Sequence, residues 1–343
     1  MTDKEETMSE PVIEQLLATT GLDELYPVVA SLRMTPGWHK KRPSLWKEPR
    51  TEFRPLHWRY DVGRAALDQA GRWIGTDLAE RRNYLLFNPV GDNDYDTVRT
   101  LVVAFQMIKP GEYARAHRHT PNAMRLILDA GPGCYTVVDG IKLPMRTGDF
   151  LLTPGGCWHS HYNEGEASAY WIDVLDVPLV HLLEPMFFED HPDRSQKVVA
   201  EPAGHPFYFP PQRTLPALAA APGDDGVQRL TLETAQHIPT VDISLLKFAA
   251  GTGRDFGRNT ASRVFAVVAG RGTARIGELT AQWARGDVIA VPSWSPYEIR
   301  AHEDAVLLEV CDEPVLRKLG FYREGARPEA PEHSHPSDEA FES

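Results

Sequence analysis

Two stretches of this chain repeat one another, and that repeat restricts the fold more than any other feature. Gly111 stands six residues before His117, and Gly148 six before Pro154. Further on, Gly251 stands six before Gly257, and Gly286 six before Pro292, so the two frames align at nearly one offset. Each frame sits among short β-branched and aromatic runs punctuated by Gly and Pro. The first holds TLVVAFQMI, RLILDA, CYTVVDG, DFLLTP and AYWIDVLDV; the second holds DISLLKFAA, SRVFAVVAG, TARIGE, DVIAVP and VLLEVCD. Many short strands with frequent turns build sandwiches and barrels, and self-similarity at a fixed offset means a duplicated unit. The expected fold is therefore mainly β, with one β-barrel unit duplicated, and 343 residues suffice to give each copy its own core.

The expected organisation is an N-terminal helical and extended region over 1–95, a first barrel over 96–180, a connection over 181–239, a second barrel over 240–324 and a disordered tail over 325–343. In the N-terminal region, PVIEQLLATTGLDELYPVVASL and DVGRAALDQAGRWI space their apolar residues as helices do. Between them, GWHKKRPSLWKEPRTEFRPLHWRY reads as an extended arm that packs its tryptophans on a neighbouring domain or subunit. Residues 1–8 also read as disordered. The tail GARPEAPEHSHPSDEAFES is rich in Pro, Glu and Ser, so His333 and His335 read as part of a polar tail rather than a metal site.

A net charge of −12 argues against nucleic acid as a partner, since no basic surplus exists to neutralise phosphates. No apolar run approaches the length of a membrane span, and the acidic start MTDKEETMSEPV lacks the apolar core of a secretory signal. The three cysteines, Cys134, Cys157 and Cys311, show no paired spacing. A cytoplasmic protein with no membrane partner is expected.

The chemistry concentrates in the first repeat. His117 and His119 are one residue apart, and alternate side chains of a strand share a face, so both imidazoles can point into a barrel together. His159 and His161 follow in TPGGCWHSHYN, framed by Pro154, Gly155 and Gly156. A barrel can bring that turn beside the first strand. Three neutral imidazoles converging on a point suit Fe, Zn, Cu or Ni. Arg125 points the same way if its strand alternates with Ile127. The second repeat carries Gly257 and Asn259 where the paired histidines would be and Tyr297 where the third would be, so that barrel is expected to be metal-free.

These motifs resemble the cupin superfamily. Its first motif is represented by Gly111, His117, His119 and Gly131, and its second by Gly148, Pro154, Gly156, His159 and Asn163. Where many cupins place a Glu ligand, this chain has Met124, a thioether poorly suited to a hard divalent ion. The wider segments ERRNYLLFNP, TLVVAFQMIKPGE, HRHTPNAMRLIL, GDFLLTPGGCWHSHYN and WIDVLDVPL are similar to gentisate 1,2-dioxygenase and its salicylate, nitrosalicylate and 1-hydroxy-2-naphthoate relatives. The resemblance runs from about residue 15 to 324 and implies a bicupin of two jelly-roll barrels.

It further implies that His117, His119 and His159 hold Fe(II). Arg125 would stand near a substrate carboxylate, with Arg81 or Arg82 as a second cation, and Gln106 would line the pocket. His161 would act beside the metal in hydrogen bonding or proton transfer, and Asp173 would orient a neighbouring group. Trp158 and Trp171 read as packing. The implied reaction joins O2 to gentisate or a 5-substituted salicylate, such as 5-nitrosalicylate, and breaks the bond between the carboxyl-bearing and hydroxyl-bearing ring carbons. Some relatives carry an aromatic where this chain has Val102, and the smaller residue would leave room for a ring substituent. A homotetramer is the family's usual assembly. Two other classes share the metal motif: a sugar or keto-acid isomerase or lyase, and a non-catalytic small-molecule sensor.

Overall fold

The computed structural model describes residues 11–39, 44–76, 78–201, 204–224 and 226–325. Residues 1–8, His333 and His335 lie outside that set. The chain divides into a unit ending at Pro49 and a second beginning at Arg50. In the first, residues 11–17 are helical and a second helix, α1, spans Leu22–Ser31. The break falls at Gly21, the residue before α1, where Glu24 accepts a hydrogen bond from the Thr20 N–H at 2.8 Å. A carboxylate near a helix N-terminus stabilises the turn it caps. Trp38 is largely exposed within this unit and donates to the Tyr26 hydroxyl at 3.3 Å.

The second unit is antiparallel β throughout its named sheets. The first barrel is built from β2 (Arg82–Leu85), β3 (Val102–Ile108), β4 (Tyr113–His119), β5 (Ala123–Asp129), β6 (Cys134–Val138), β7 (Ile141–Pro144), β8 (Phe150–Thr153), β9 (His159–Asn163), β10 (Ala169–Leu175), β11 (Phe188–Asp190) and β12 (Tyr208–Phe209). They form a six-stranded sheet in the order β12-β8-β5-β10-β3-β2 and a five-stranded sheet in the order β11-β4-β9-β6-β7. The second barrel includes β1 (Leu56–Trp58), β13 (Gly223–Asp224), β14 (Val227–Thr231), β15 (Asp242–Phe248) and β16 (Gly253–Phe256). It is completed by β17 (Arg263–Ala269), β18 (Arg271–Ile276), β19 (Leu279–Ala284), β20 (Val288–Val291), β21 (Tyr297–Ala301) and β22 (Ala305–Cys311). Its sheets have seven strands and four.

Two expected boundaries are crossed by strands. Within 1–95, β1 joins β20 of the second barrel and β2 joins β3 of the first. The connection over 181–239 supplies β11 and β12 to the first barrel and β14 to the second, together with the helix Pro211–Ala220. Edge strands carry unpaired N–H and C=O groups, and these flanking segments cover them.

The six- and seven-stranded sheets pack back to back. Phe105, Met124, Leu126 and Ile172 from one and Leu245, Val264, Ala266 and Leu308 from the other belong to one apolar cluster. The alternate residues of the same strands face the two lumens. Both faces of the six-stranded sheet are thus covered, which is why VVAFQMI in β3 is buried at every position. Removing a large side chain from such a layer costs about 3–5 kcal/mol.

The barrels are also hooked together reciprocally. Asp176 accepts from the Asn122 backbone N–H of its own barrel at 2.7 Å and from the Thr240 hydroxyl beside the other at 2.6 Å. Asp312 accepts from the Ser262 N–H of its own barrel at 2.7 Å and from the Thr100 hydroxyl of the first at 2.6 Å. Thr100 and Thr240 hold equivalent places in the two repeats, and so do Asn122 and Ser262. Residue i meeting j while j meets i is the signature of a two-fold interface, here within one chain.

Burial pushes the Asp312 carboxyl up to about 6, against the pull of the Thr100 hydroxyl and the Ser262 N–H. Its folded value lies above the unfolded one, so its charge lowers stability as pH rises through about 6. Thr100→Val removes a donor from that buried carboxylate and should cost about 1–3 kcal/mol in urea unfolding. The cost should be larger at about pH 8, where Asp312 is charged, than at about pH 5.

Candidate metal centre and its polar wall

The paired histidines depend on an irregularity in β4. Ala114 pairs with His161 and His117 with His159, so β4 spends three residues where β9 spends two. Such a bulge re-aims side chains. Here it sets His117 opposite His159, with ring centroids 4.3 Å apart. The backbone freed at Ala116 is satisfied from the other side, its N–H by Arg194 O and its carbonyl by the His191 N–H. The strand β11 runs along that edge, and Phe188 lies against the His117 ring at 5.2 Å.

The second motif docks on the end of the first. Gly156 N–H donates to His119 O at 2.8 Å, and Gly155 N–H to Asn122 Oδ1 at 2.9 Å. A Cβ on Gly155 would lie 2.2 Å from Thr120 O, and Gly156 has a φ of +82°. The two glycines are needed for different reasons: one permits close approach, the other a left-handed turn.

The result is a cluster of His117, His119 and His159 whose ligand atoms all lie within 4.8 Å of one another. Each Nδ1 is 2.9–3.1 Å from a carbonyl close in sequence: Arg115, Pro121 and Cys157 respectively. A carbonyl only accepts, so Nδ1 carries the proton and Nε2 keeps its lone pair. Burial, then the charge of Arg81, pushes His117 down to about 4. Burial lowers His119 as well and holds His159 well below the usual imidazole range. Three neutral nitrogen donors without a carboxylate fit a borderline divalent transition metal.

Facing this sheet across the lumen, the six-stranded sheet supplies a chain of polar groups. Arg125 on β5 donates from Nε to Asp173 Oδ1 at 2.9 Å, and from Nη1 reaches His161 Nδ1 at 3.0 Å on β9. Arg125 and Asp173 are each 1% exposed, and a lone charge there would be costly. Arg81 donates from Nε to Gln106 Oε1 at 2.6 Å. Arginine only donates, so His161 accepts at Nδ1 and bears its proton on Nε2, which is buried without a partner. Gln106 likewise keeps its NH2 free to donate. Burial, then the Arg125 charge, holds His161 well below the usual range, so it is neutral.

Two positions differ from the sequence expectation. Arg82 is buried in a two-pronged pair with Glu112 and donates to Ile74 O at 2.9 Å, so it closes a structural clamp and is not brought to the histidines. Strand alternation separates it from Arg81. Met124 is fully buried, but in the apolar layer between the sheets. It therefore does not occupy the place of a missing Glu ligand; the residues of β5 that turn inward are Ala123, Arg125 and Ile127. Trp171 packs in the first barrel's core, and Trp158 is half-buried beneath the Arg118 guanidinium at 4.5 Å. The Glu112 clamp and the bulge at Ala116 have no signal in a single sequence.

The second barrel closes the equivalent space with its own arginine. Arg263 on β17 corresponds to Ala123 on β5, one inward rung before the place of Arg125, which Phe265 holds. Arg263 donates to the Tyr297 hydroxyl at 2.6 Å and to Asn259 Oδ1 at 3.0 Å, and pairs with Glu309 at 3.4 Å. Among the described residues, the first-barrel histidines are the only group placed to hold a metal. A groove of about 950 Å3 lined by Tyr135, Lys142, Arg146 and Tyr208 shares no residue with the site.

Elemental analysis should find one metal ion per chain and none in His119→Ala. Gly155→Ala should fold, by circular dichroism, yet load metal poorly, because the loop carrying His159 must move away from Thr120 O.

The Cupin domain model matches residues 104–175. A 5-aminosalicylate 1,2-dioxygenase from Comamonas sp. is 35% identical over 90% of this chain and 91% of its own. A gentisate 1,2-dioxygenase from Aquipseudomonas alcaligenes is 30% identical over 91% and 98%. The crystal structure of a salicylate 1,2-dioxygenase from Pseudoaminobacter salicylatoxidans, a gentisate adduct, superposes with a TM-score of 0.82 at 26% identity, covering 90% of this chain and 94% of that one. Similarity on this scale across both barrels makes the chain a bicupin of the gentisate and salicylate 1,2-dioxygenase family, oxidoreductases that cleave an aromatic ring with O2.

Proposed function

We propose that the protein is an Fe(II)-dependent dioxygenase that opens the ring of gentisate or another 5-substituted salicylate, such as the nitro or amino compound. The observation that carries this reading is the polarity of the groups around the histidine cluster. Arg81, the Gln106 NH2, Arg125 Nη2 and the His161 Nε2–H are donors there, while Gln106 Oε1, Asp173 Oδ1 and His161 Nδ1 are each engaged by an arginine. A surface of donors selects an anion rich in acceptors. Three neutral imidazoles also leave a divalent charge without a protein carboxylate. A carboxylate with an ortho oxygen answers both needs. Among the inward residues of β3, Val102 and Ala104 are small side chains on the same face as Gln106.

His117, His119 and His159 would hold the iron, which when bound would supply a template for substrate and O2 and a path for electron density between them. The chain's own groups orient and neutralise. Arg125, fixed by Asp173, presents Nη2 to the carboxylate, and Arg81 rather than Arg82 adds the second cation. His161 donates its Nε2–H to a substrate oxygen. Holding the ring in one orientation accounts for much of the rate. The bond between the carboxyl-bearing and hydroxyl-bearing carbons breaks, and both oxygen atoms enter the product. A homotetramer in the cytoplasm belongs to this reading, and sedimentation tests the assembly.

The test is O2 uptake after anaerobic loading with Fe(II), against gentisate, salicylate, and the 5-amino, 5-nitro and 5-chloro compounds. Uptake in proportion to one substrate, with loss of aromatic absorbance, supports the reading. No uptake with iron bound would move the assignment to an isomerase or a sensor. Arg125→Met should keep its iron and lower kcat/KM by about 10²–10³, whereas Arg82→Met should lose stability without a selective loss of substrate binding.

A further inference from the structure

The two sheets that pack back to back leave a hollow of about 140 Å3 beneath the helix Pro211–Ala220. Leu126 and Phe150 of the first barrel and Leu245 and Leu308 of the second face it, with Phe209 and Leu232 from the connection. Its one side-chain hydroxyl, on Thr214, already donates to Pro210 O at 3.2 Å. The rest of the lining is aliphatic and aromatic, with the exposed Leu215 at its mouth. Apolar cavities of about this size take small apolar guests. The hollow persists because the helix is held at its start. A Cβ on Gly148, whose φ is +87°, would lie 2.9 Å from Pro211, so the turn and the helix already touch there.

One sheet separates this hollow from the metal centre. Leu126 follows Arg125 on β5, and the two point to opposite sides. Phe150 begins β8, which leads into the turn carrying His159. We propose that the hollow is a binding site for a small apolar molecule and that its guest in the working enzyme is dioxygen. Dioxygen is neutral, apolar and smaller than the space, and an apolar lining offers water few hydrogen bonds. The identity of the guest rests on the proposed reaction; the existence of the site does not.

Xenon is the probe, an apolar atom that needs no hydrogen bond. Diffraction from crystals of the full chain under xenon should show the atom between Leu126 and Leu245. Leu245→Phe, or Val306→Phe should the first not fold, should abolish it. Filling the hollow should raise the KM for O2 about twofold or more while leaving kcat at saturating O2 unchanged. Leu245→Ala should enlarge it and admit benzene, read as a rise in Tm. A wild-type hollow without xenon overturns the site. Xenon bound but KM for O2 unchanged in the filled variants overturns the dioxygen role. Xenon binding requires neither iron nor turnover, so a xenon-filled but inactive enzyme would count against the proposed function alone.

Discussion

The guanidinium of Arg125 is the contact on which the first barrel's interior depends. It starts on one sheet and ends at His161 on the other, so it spans the lumen beside the histidine cluster. A cation this buried is tolerated because Asp173 lies directly across from it in the ladder and takes its Nε hydrogen. That pair orders much of what surrounds it. It decides which nitrogen of His161 holds a proton, and its charge helps keep His159 and His161 neutral. Remove either partner and the wall loses both its geometry and its polarity.

Each barrel sends an arginine into its lumen, from different rungs of the equivalent strand. In the first, Arg125 leans on a carboxylate and leaves the space in front of the imidazoles open to an ion. In the second, Arg263 enters the corresponding space and is answered by Tyr297, Asn259 and Glu309. Losing histidines there did not leave a void; a cation fixed to the chain occupies it. Filling the space in this way keeps the barrel interior packed.

Much of this is legible in the residues. The glycine-framed repeat implies two barrels, and the histidine spacings imply one cluster, because both follow from local rules of turns and strand alternation. The inward direction of Arg125 follows from the same period of two. The rest depends on partners distant in sequence. Arg81 and Arg82 are equivalent as letters, and only Glu112 and Gln106, on different elements, separate them. Met124 looks like an altered ligand because motif spacing counts residues without recording which face each takes. The strands β1, β2 and β11 read as connection because short edge strands take their regularity from the sheet they join.

The reciprocal hooks of Asp176 and Asp312 give the molecule a property that neither barrel has alone. The halves share one apolar layer and exchange hydrogen bonds across it, so neither can open without exposing the other. An ion bound by three imidazoles in one barrel therefore stabilises residues far beyond its own sheet, since whatever binds only the folded state adds to the stability of the whole cooperative unit. The half without ligands serves as a mechanical counterweight, coupling metal occupancy at one end of the molecule to the persistence of structure at the other.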